Sequence, residues 1–327
     1  MIEPNWQPDC TIATLKHRAQ LFADIRAFFA ARQVLEVDTP MLSQGSIADL
    51  HIEVMTSQYQ GPLAPNGLTL YLQTSPEFAM KRLLAAGSGC IYQLGKVFRN
   101  EEAGRRHNSE FCMLEWYRLG YDHQQLMDEV AALLTAVAGL PAANMHKLSY
   151  LGAFEQALAV NPHTASLATL QQLAQQHCHY GAHETDRDTL LNLLLSMVIE
   201  PGLGAHGSVT FLYDYPASQA ALARTDVDAF GHPVARRFEV FIDGVELANG
   251  YHELTDADEQ QHRLHSEAQA RQQQGKPVNN PDLRLVEALR SGLPECAGVA
   301  LGVDRLLMVI LQASDIRQVM PFSLARA

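Results

Sequence analysis

Two β-type runs, IYQLGKVFRNE at 91–101 and EFCMLEWYRLGY at 110–121, flank a short loop that gathers Arg105, Arg106 and His107 around a glycine. Such a pair predicts a long antiparallel hairpin, and with it a sheet that keeps one face for a core and one for chemistry. Side chains alternate along a strand. Arg99 and Glu101 should therefore share a face if the first strand reaches that far, while Glu115 and Tyr117 share one with Phe111 and Met113. A carboxylate would then stand beside a phenol. The positive loop is unexpected in a chain whose formal net charge is -12. That overall charge disfavours non-specific binding to a polyanion, yet leaves room for a local basic groove that holds a phosphate-rich ligand.

The surrounding sequence alternates helix and strand signals. Apolar residues Leu15, Ala19, Phe22, Ile25 and Phe29 fall at helical spacing between Thr11 and Gln33, and VLEVDTP then reads as a strand stopped by Pro40. HIEVMTS and LYLQT are strand-like. In TSPEFAMKRLLAAG, Ser75 is expected to cap a short helix with Pro76 at its first position and Gly87 beyond its end. From about Gln124 to Glu200 the pattern is helical, with Leu170, Leu173, Leu190, Leu193, Leu194 and Met197 among its apolar positions, and we read it as an inserted block within a single domain spanning 1–327. FEVFIDGVELANGY predicts a hairpin turning at Asp243-Gly244. A polar helix follows from near Thr255, with Asp258 completing a capping box. GVALGVDRLLMVIL closes as strand, glycine turn and apolar helix.

The five cysteines are scattered and form no CxxC pair, as expected of thiols in a reducing compartment. MIEPNWQPDC is neither basic nor apolar enough for a signal peptide, and no apolar run approaches a bilayer span, so the expected location is cytoplasmic without membrane attachment. The cluster His177, Cys178, His179 and His183 lacks matched ligands elsewhere and reads as surface.

A two-residue turn at Asp243-Gly244 puts residue 241 opposite 246 and 239 opposite 248, making Glu239 and Glu246 diagonal neighbours. Two acids so close call for a cation. Magnesium suits them, because it takes one or two carboxylates together with substrate phosphates. Arg99 and Arg305, the latter in the first turn of the last helix, would hold those phosphates. The constellation describes a nucleoside triphosphate site.

The order of these elements resembles class II aminoacyl-tRNA synthetases, and within them the catalytic domain of lysyl-tRNA synthetase, over nearly the full chain. Motif 1 resembles the helix and strand ending at Pro40, motif 2 is FRNEE with RRHNSEF and MLEWY, and motif 3 is GVDRLLM. The resemblance implies an α/β (α+β) fold: an antiparallel sheet of six or seven strands flanked by helices, with a motif 1 homodimer and ATP bound with Mg2+. It implies that Arg99, Asn100 and Glu101 contact ATP, that His107 and Asn108 close over the nucleotide, and that Arg305 holds the γ-phosphate. Arg99, Glu101 and Arg305 would carry catalysis, Glu239 and Glu246 the metal, Leu247 would lie along ATP, and Gly302 would let the nucleotide approach the backbone. Ser75 and Glu77 would bind the α-amine, with Pro76 also among the substrate-binding residues, Glu115, Tyr117 and Glu253 a side-chain ammonium, and Asn249 a carboxylate. Strict alternation sets Asn249 and Glu246 on opposite faces, so a bulge at the Asn249-Gly250 step is expected.

Two departures shape the functional expectation. The family carries an anticodon-binding domain before motif 1, whereas only a score or so of residues precede the motif 1 helix here. The expectation is a chain without that domain, for which tRNA is an unexpected acceptor, and the chain resembles a stand-alone branch that lysylates a lysine of translation elongation factor P. In motif 3, Ala300 replaces the first glycine of a GxGxDR pattern. An added methyl in a tight pocket redirects binding by roughly 1 kcal/mol, which points to a shifted isomer such as (R)-β-lysine in place of lysine. The rivals are a truncated lysyl-tRNA synthetase, an asparagine synthetase of the same fold and a non-catalytic regulatory relative. The second should choose an acidic substrate, whereas Glu77, Glu115 and Glu253 suit a dication. The third should have lost Arg99, Glu246 or Arg305, and all three are present.

Overall fold

A computed structural model describes residues 6–47, 49, 50 and 52–327. Residues 1–5 of the N-terminal stretch and His51 of HIEVMTS lie outside them. The first helix, α1 (Ile12–Ala30), starts where the Thr11 side chain accepts the Thr14 N–H at 3.1 Å, and it buries Leu21, Ile25, Phe28 and Phe29. The short strand β1 (Leu35–Glu36) follows, so the motif 1 strand is brief. Next, β2 (Leu42–Ser43), β3 (Thr56–Gly61) and β4 (Ala64–Leu72) form a separate sheet in the order β2-β4-β3. Most of HIEVMTS precedes β3, and Glu53 only bridges to Asn100.

Helix α2 (Glu77–Ala85) begins one residue later than expected: Pro76 is its N-cap, and the Ser75 hydroxyl accepts the Glu77 N–H at 3.0 Å. Gly87, at φ +87°, turns the chain out after it. The expected hairpin is β5 (Ile91–Phe98) with β6 (Glu110–Leu119). Its first strand stops at Phe98 and Glu101 adopts a left-handed φ of 63°, so the alternation that would pair Arg99 with Glu101 does not extend to them.

The stretch from 124 to 200 departs from a purely helical block. Helix α3 (His123–Ala138), with Asp122 and Gln125 forming a capping box, packs into the same core as α1. Strand β7 (Met145–Ser149) comes next, then α4 (Tyr150–Leu158), α5 (Leu167–Cys178) and α6 (Arg187–Leu194). These last three bury Leu170, Leu190 and Leu194 with Tyr150, Phe154 and Phe241 in a second core, but Met197 is 59% exposed. His177, His179 and His183 are exposed, as the sequence suggests.

Strands β8 (Val209–Pro216) and β9 (Thr225–Val227) lead to β10 (Pro233–Ile242) and β11 (Val245–His252), which turn at Asp243 and Gly244 with φ of 47° and 67°. Two positive φ values are what a tight hairpin of this hand requires. Asp256, in place of Thr255, caps α7 (Ala257–Gln273) by accepting the Asp258 and Glu259 N–H groups at 2.9 Å each. The chain closes through α8 (Arg284–Arg290), β12 (Cys296–Gly302) and α9 (Val303–Leu311).

The large sheet runs β1-β5-β6-β12-β11-β10-β8-β7, with β9 beside β10. Its six central strands, β5 to β8 in that order, are antiparallel, as expected; β1 and β7 add parallel edges. One face carries Leu114, Trp116, Phe238, Val240, Ala248, Val299 and Leu301 into a core shared with α1, α3 and α9. There Phe29 stacks on Tyr92 at 4.4 Å and meets Trp116 edge-on at 5.4 Å. Each such ring contributes about 2 to 3 kcal/mol by burial. Inside this core the Arg18 guanidinium meets Asp304 at 2.6 Å, and the other Asp304 oxygen accepts the Cys112 N–H at 2.6 Å, which ties α1, α9 and β6 together. Among the described residues, no helix is long and apolar enough to cross a membrane.

Candidate active site

Directly opposed residues in antiparallel strands lie on one face, so the register defines the floor of the site. One row crosses the sheet as Gln93, Glu115, Ala300, Asn249 and Glu239. The next reads Ile91, Tyr117, Gly298, Tyr251 and Arg237. Both rows face away from the Trp116 core. The required bulge exists, but not where alternation suggested: the register shifts between Val240 and Phe241, so that Phe241 opposes Glu246, Val240 opposes Ala248 and Glu239 opposes Asn249. Leu247 is the extra residue, and its side chain turns into the main core at 3% exposure. Glu246, Asn249 and Glu239 thereby share the floor, whereas any contact of Leu247 with a nucleotide falls to its backbone.

At one end of the floor, the Glu115 carboxylate accepts the Ser75 hydroxyl at 2.6 Å and the Tyr117 hydroxyl at 2.7 Å. Burial first, then the charge of Glu77, raises the Glu115 pKa to about 7. Glu253 is 1% exposed, and burial, only partly offset by Lys81, pushes it to about 8. Gly298 permits this packing. A Cβ there would stand 2.3 Å from the Tyr117 ring and 2.5 Å from Glu253 Oε1. Lys81, one turn into α2, sends Nζ to within 2.7 Å of Glu77 Oε1 and 2.6 Å of Glu253 Oε2. In the sequence, Lys81 shows only an i,i+4 spacing from Glu77, which by itself does not mark a site residue.

At the other end stand the arginines. Arg305, in the first turn of α9, donates to the Glu246 carbonyl at 2.7 Å, to the Arg106 carbonyl at 3.4 Å and toward His107 Nε2 at 2.8 Å. Loss of solvation, then the Arg305 charge, lowers the His107 pKa, which keeps the ring neutral and able to accept. The basic loop and the last helix thus meet. Arg99 lies 5.3 Å over the Phe111 ring, donates to the Thr74 carbonyl at 3.4 Å and stands 3.6 Å from Glu102. Glu101 and Asn100 are exposed at the loop's start. Asn108 is buried, its amide spent on the Glu110 carbonyl at 2.7 Å and the Leu324 N–H at 3.1 Å, so it fastens the loop from below. Over Gly302 an added Cβ would meet nothing closer than 3.8 Å, which leaves open room there.

Between the two ends, Glu239 accepts the Tyr215 hydroxyl at 2.8 Å and a guanidinium N–H of Arg237. Arg237 also donates to Asn249 Oδ1 at 3.2 Å and lies 4.7 Å over the Tyr215 ring. Desolvation in the cleft, then the Glu239 charge, raises the Glu246 pKa. A third acid, Glu200, is pushed up to about 7 by burial and then by Glu239 and Glu246. Glu239 thus raises the pKa values of both Glu200 and Glu246, and a divalent cation would relieve that crowding of negative charge. Arg237 and Glu200 were missed because neither belongs to a recognisable spacing.

Elsewhere, His163, Asp228 and His232 bring metal-ligating atoms within 4.8 Å of one another, the one such group of three among the described residues. Asp228 already accepts the Phe230 and His232 N–H groups at 2.8 Å and faces His232 Nδ1 at 2.9 Å, which holds the turn without an ion.

Comparison with known proteins agrees with this geometry. Residues 8–326 match the family model "tRNA synthetases class II (D, K and N)". The chain is 50% identical over 325 residues to the elongation factor P--(R)-beta-lysine ligase of Yersinia enterocolitica, covering 99% of this chain and 98% of that protein. It is 51% identical to the protein of that name from Pseudoalteromonas translucida, covering 98% of each, and 49% identical to one from Yersinia pestis, covering 97% of each. A sheet whose two motif strands, bulged hairpin and final helix converge on one floor, matched across 8–326, shows that the chain belongs to the class II tRNA synthetase family.

Proposed function

We propose that this protein activates (R)-β-lysine, or lysine, with ATP as an acyl adenylate and transfers the acyl group to the ε-amine of a lysine of translation elongation factor P. The observation that carries the reading is the grouping of Glu77, Glu115 and Glu253 around one buried pocket on the same floor as Arg305 and Arg99. Acids at one end suit a substrate with two ammonium groups; guanidiniums at the other suit a triphosphate. The ligase names of relatives that match over 97% or more of their length support the acceptor.

In the first step a carboxylate oxygen of the amino acid attacks the α-phosphorus, the bond to the β-phosphate oxygen breaks, and diphosphate leaves. Arg99 would stabilise charge at the α-phosphate and Arg305 at the tail, with Glu101, Asn100 and His107 around the nucleotide. Glu246 and Glu239, with Glu200 beside them, would hold magnesium, which when bound neutralises phosphate charge. In the second step the acceptor amine attacks the acyl carbon, AMP leaves with the bonding pair, and the amine gives up a proton. No side-chain nucleophile is needed, because alignment of the reacting atoms supplies much of the rate. Ser75, Pro76, Tyr117 and Asn249 orient the substrate, and we expect a cytoplasmic homodimer for which tRNA is a poor acceptor. Exchange of labelled diphosphate into ATP tests the first step: it should require a diamino acid and not proceed with aspartate or leucine, and exchange with aspartate alone would overturn the assignment.

A further inference from the structure

The amino-acid pocket already contains an ammonium group of the protein's own. Lys81 Nζ sits between Glu77 and Glu253, and the whole side chain is 1% exposed. Burial pulls its pKa down, but Glu253 and Glu77 outweigh burial and hold it above the ordinary lysine value, so it stays charged at any working pH. Glu115, the third acid, receives two neutral hydroxyls and makes no ion pair among the described residues. Both Glu253 carboxylate oxygens are buried without a hydrogen-bond partner among the described residues, and of the two only Oε2 has an ion-pair contact, with Lys81 at 2.6 Å. A buried carboxylate oxygen left in that state points to a cationic group that arrives with the substrate.

We propose that Lys81 is a positioning and selectivity residue: its ammonium cancels one of the pocket's three carboxylate charges and fixes the Glu77 and Glu253 orientation, leaving two formal negative charges for the two ammonium groups of a diamino acid. This rests on the diamino acid reading above. Without Lys81, three mutually repelling acids would share the pocket, and protons would be taken up in place of a defined ligand geometry. Charge balance, and not merely the presence of acids, then sets what the pocket accepts. The same balance explains why the pocket tolerates Glu253 at 1% exposure.

The test compares diphosphate exchange by the wild-type protein, Lys81→Met and Lys81→Ala, the alanine variant with and without n-propylammonium or the uncharged n-propanol. Wild-type exchange is measured first, and its absence with every diamino acid would sink the parent reading and not this one. With wild-type exchange established, KM for the diamino acid should rise by roughly 30-fold or more in both variants while KM for ATP changes less than about 3-fold. n-Propylammonium should recover a large part of the loss in Lys81→Ala, and n-propanol should not. An unchanged KM, equal rescue by the alcohol, or failure of both variants to fold would each overturn the proposal in favour of a purely packing role.

Discussion

Glu115 on β6 and Ala300 on β12 are direct cross-strand partners, so the Ala300 methyl lies on the floor beside the carboxylate, with Asn249 on its other side. The one residue that departs from the GxGxDR pattern therefore stands between an acid expected to take an ammonium and an amide expected to take a carboxylate. In the proposed binding mode its methyl would occupy the space over which the distance between those two substrate groups is read. Ala300→Gly should shift the ratio of kcat/KM values toward lysine over (R)-β-lysine by roughly tenfold, a change of about 1.4 kcal/mol. Diphosphate exchange with each isomer measures it, and an unchanged ratio removes Ala300 from selectivity.

The surplus charge at Glu200, Glu239 and Glu246 predicts a magnesium phenotype. Glu246→Gln should lower kcat by roughly 100-fold and raise the magnesium concentration needed for half-maximal exchange. Glu200→Gln, which removes a neighbour of both acids, should have a smaller effect in the same direction. A magnesium titration of each variant decides this. Equal magnesium dependence in Glu246→Gln and wild type would exclude the residue as a ligand.

The raised pKa values of Glu115 and Glu253 give a pH signature. A carboxyl whose pKa is higher in the fold than its ordinary 4.5 binds a proton more readily when folded, so its stabilisation is complete below about 4.5 and is lost as pH rises through about 7 to 8. The ligand-free protein should therefore lose thermal stability between pH 5 and 8 from these two groups, whose values near 7 and 8 define the window. Binding a dication favours their ionised forms. It should release protons near pH 7, visible by calorimetry as an enthalpy that differs between phosphate and Tris buffers; proton uptake would contradict the pocket assignment.

Arg18 and Asp304 test the core beneath the site. Removing one partner of a buried ion pair strands the other, at a cost of about 3 to 5 kcal/mol. Arg18→Met leaves Asp304 with the Cys112 N–H alone. Urea denaturation should show a loss near the lower end of that range. A loss below about 1 kcal/mol would mean that the three elements are held by apolar packing instead.

Much of the site was legible because its parts lie on elements with strong local signals. The β5-β6 hairpin put Glu115 beside Tyr117, and Asp243-Gly244 gave the turn that brings Glu239 near Glu246. The bulge was foreseen but misplaced at Asn249-Gly250, because alternation alone shows that an extra residue is needed without showing where it costs least. Placing it at Leu247 buries a large apolar side chain, which a bulge at Asn249 would not. Strands β7 and β8 escaped notice within or after helical sequence, since β7 is a short edge strand completed only by its parallel partner. For Lys81 only the i,i+4 pairing with Glu77 is readable locally, since its second partner, Glu253, lies 172 residues away, and the partners of Arg237 depend on a register shift.

The central claim is that the acyl group formed on this floor ends on a protein amine. Intact mass spectrometry of elongation factor P, incubated with the enzyme, ATP, magnesium and (R)-β-lysine, with tRNA offered in parallel, tests it most directly. The expected result is a single β-lysyl addition to one lysine of the factor, with the tRNA left uncharged. Charged tRNA beside unmodified factor would contradict it.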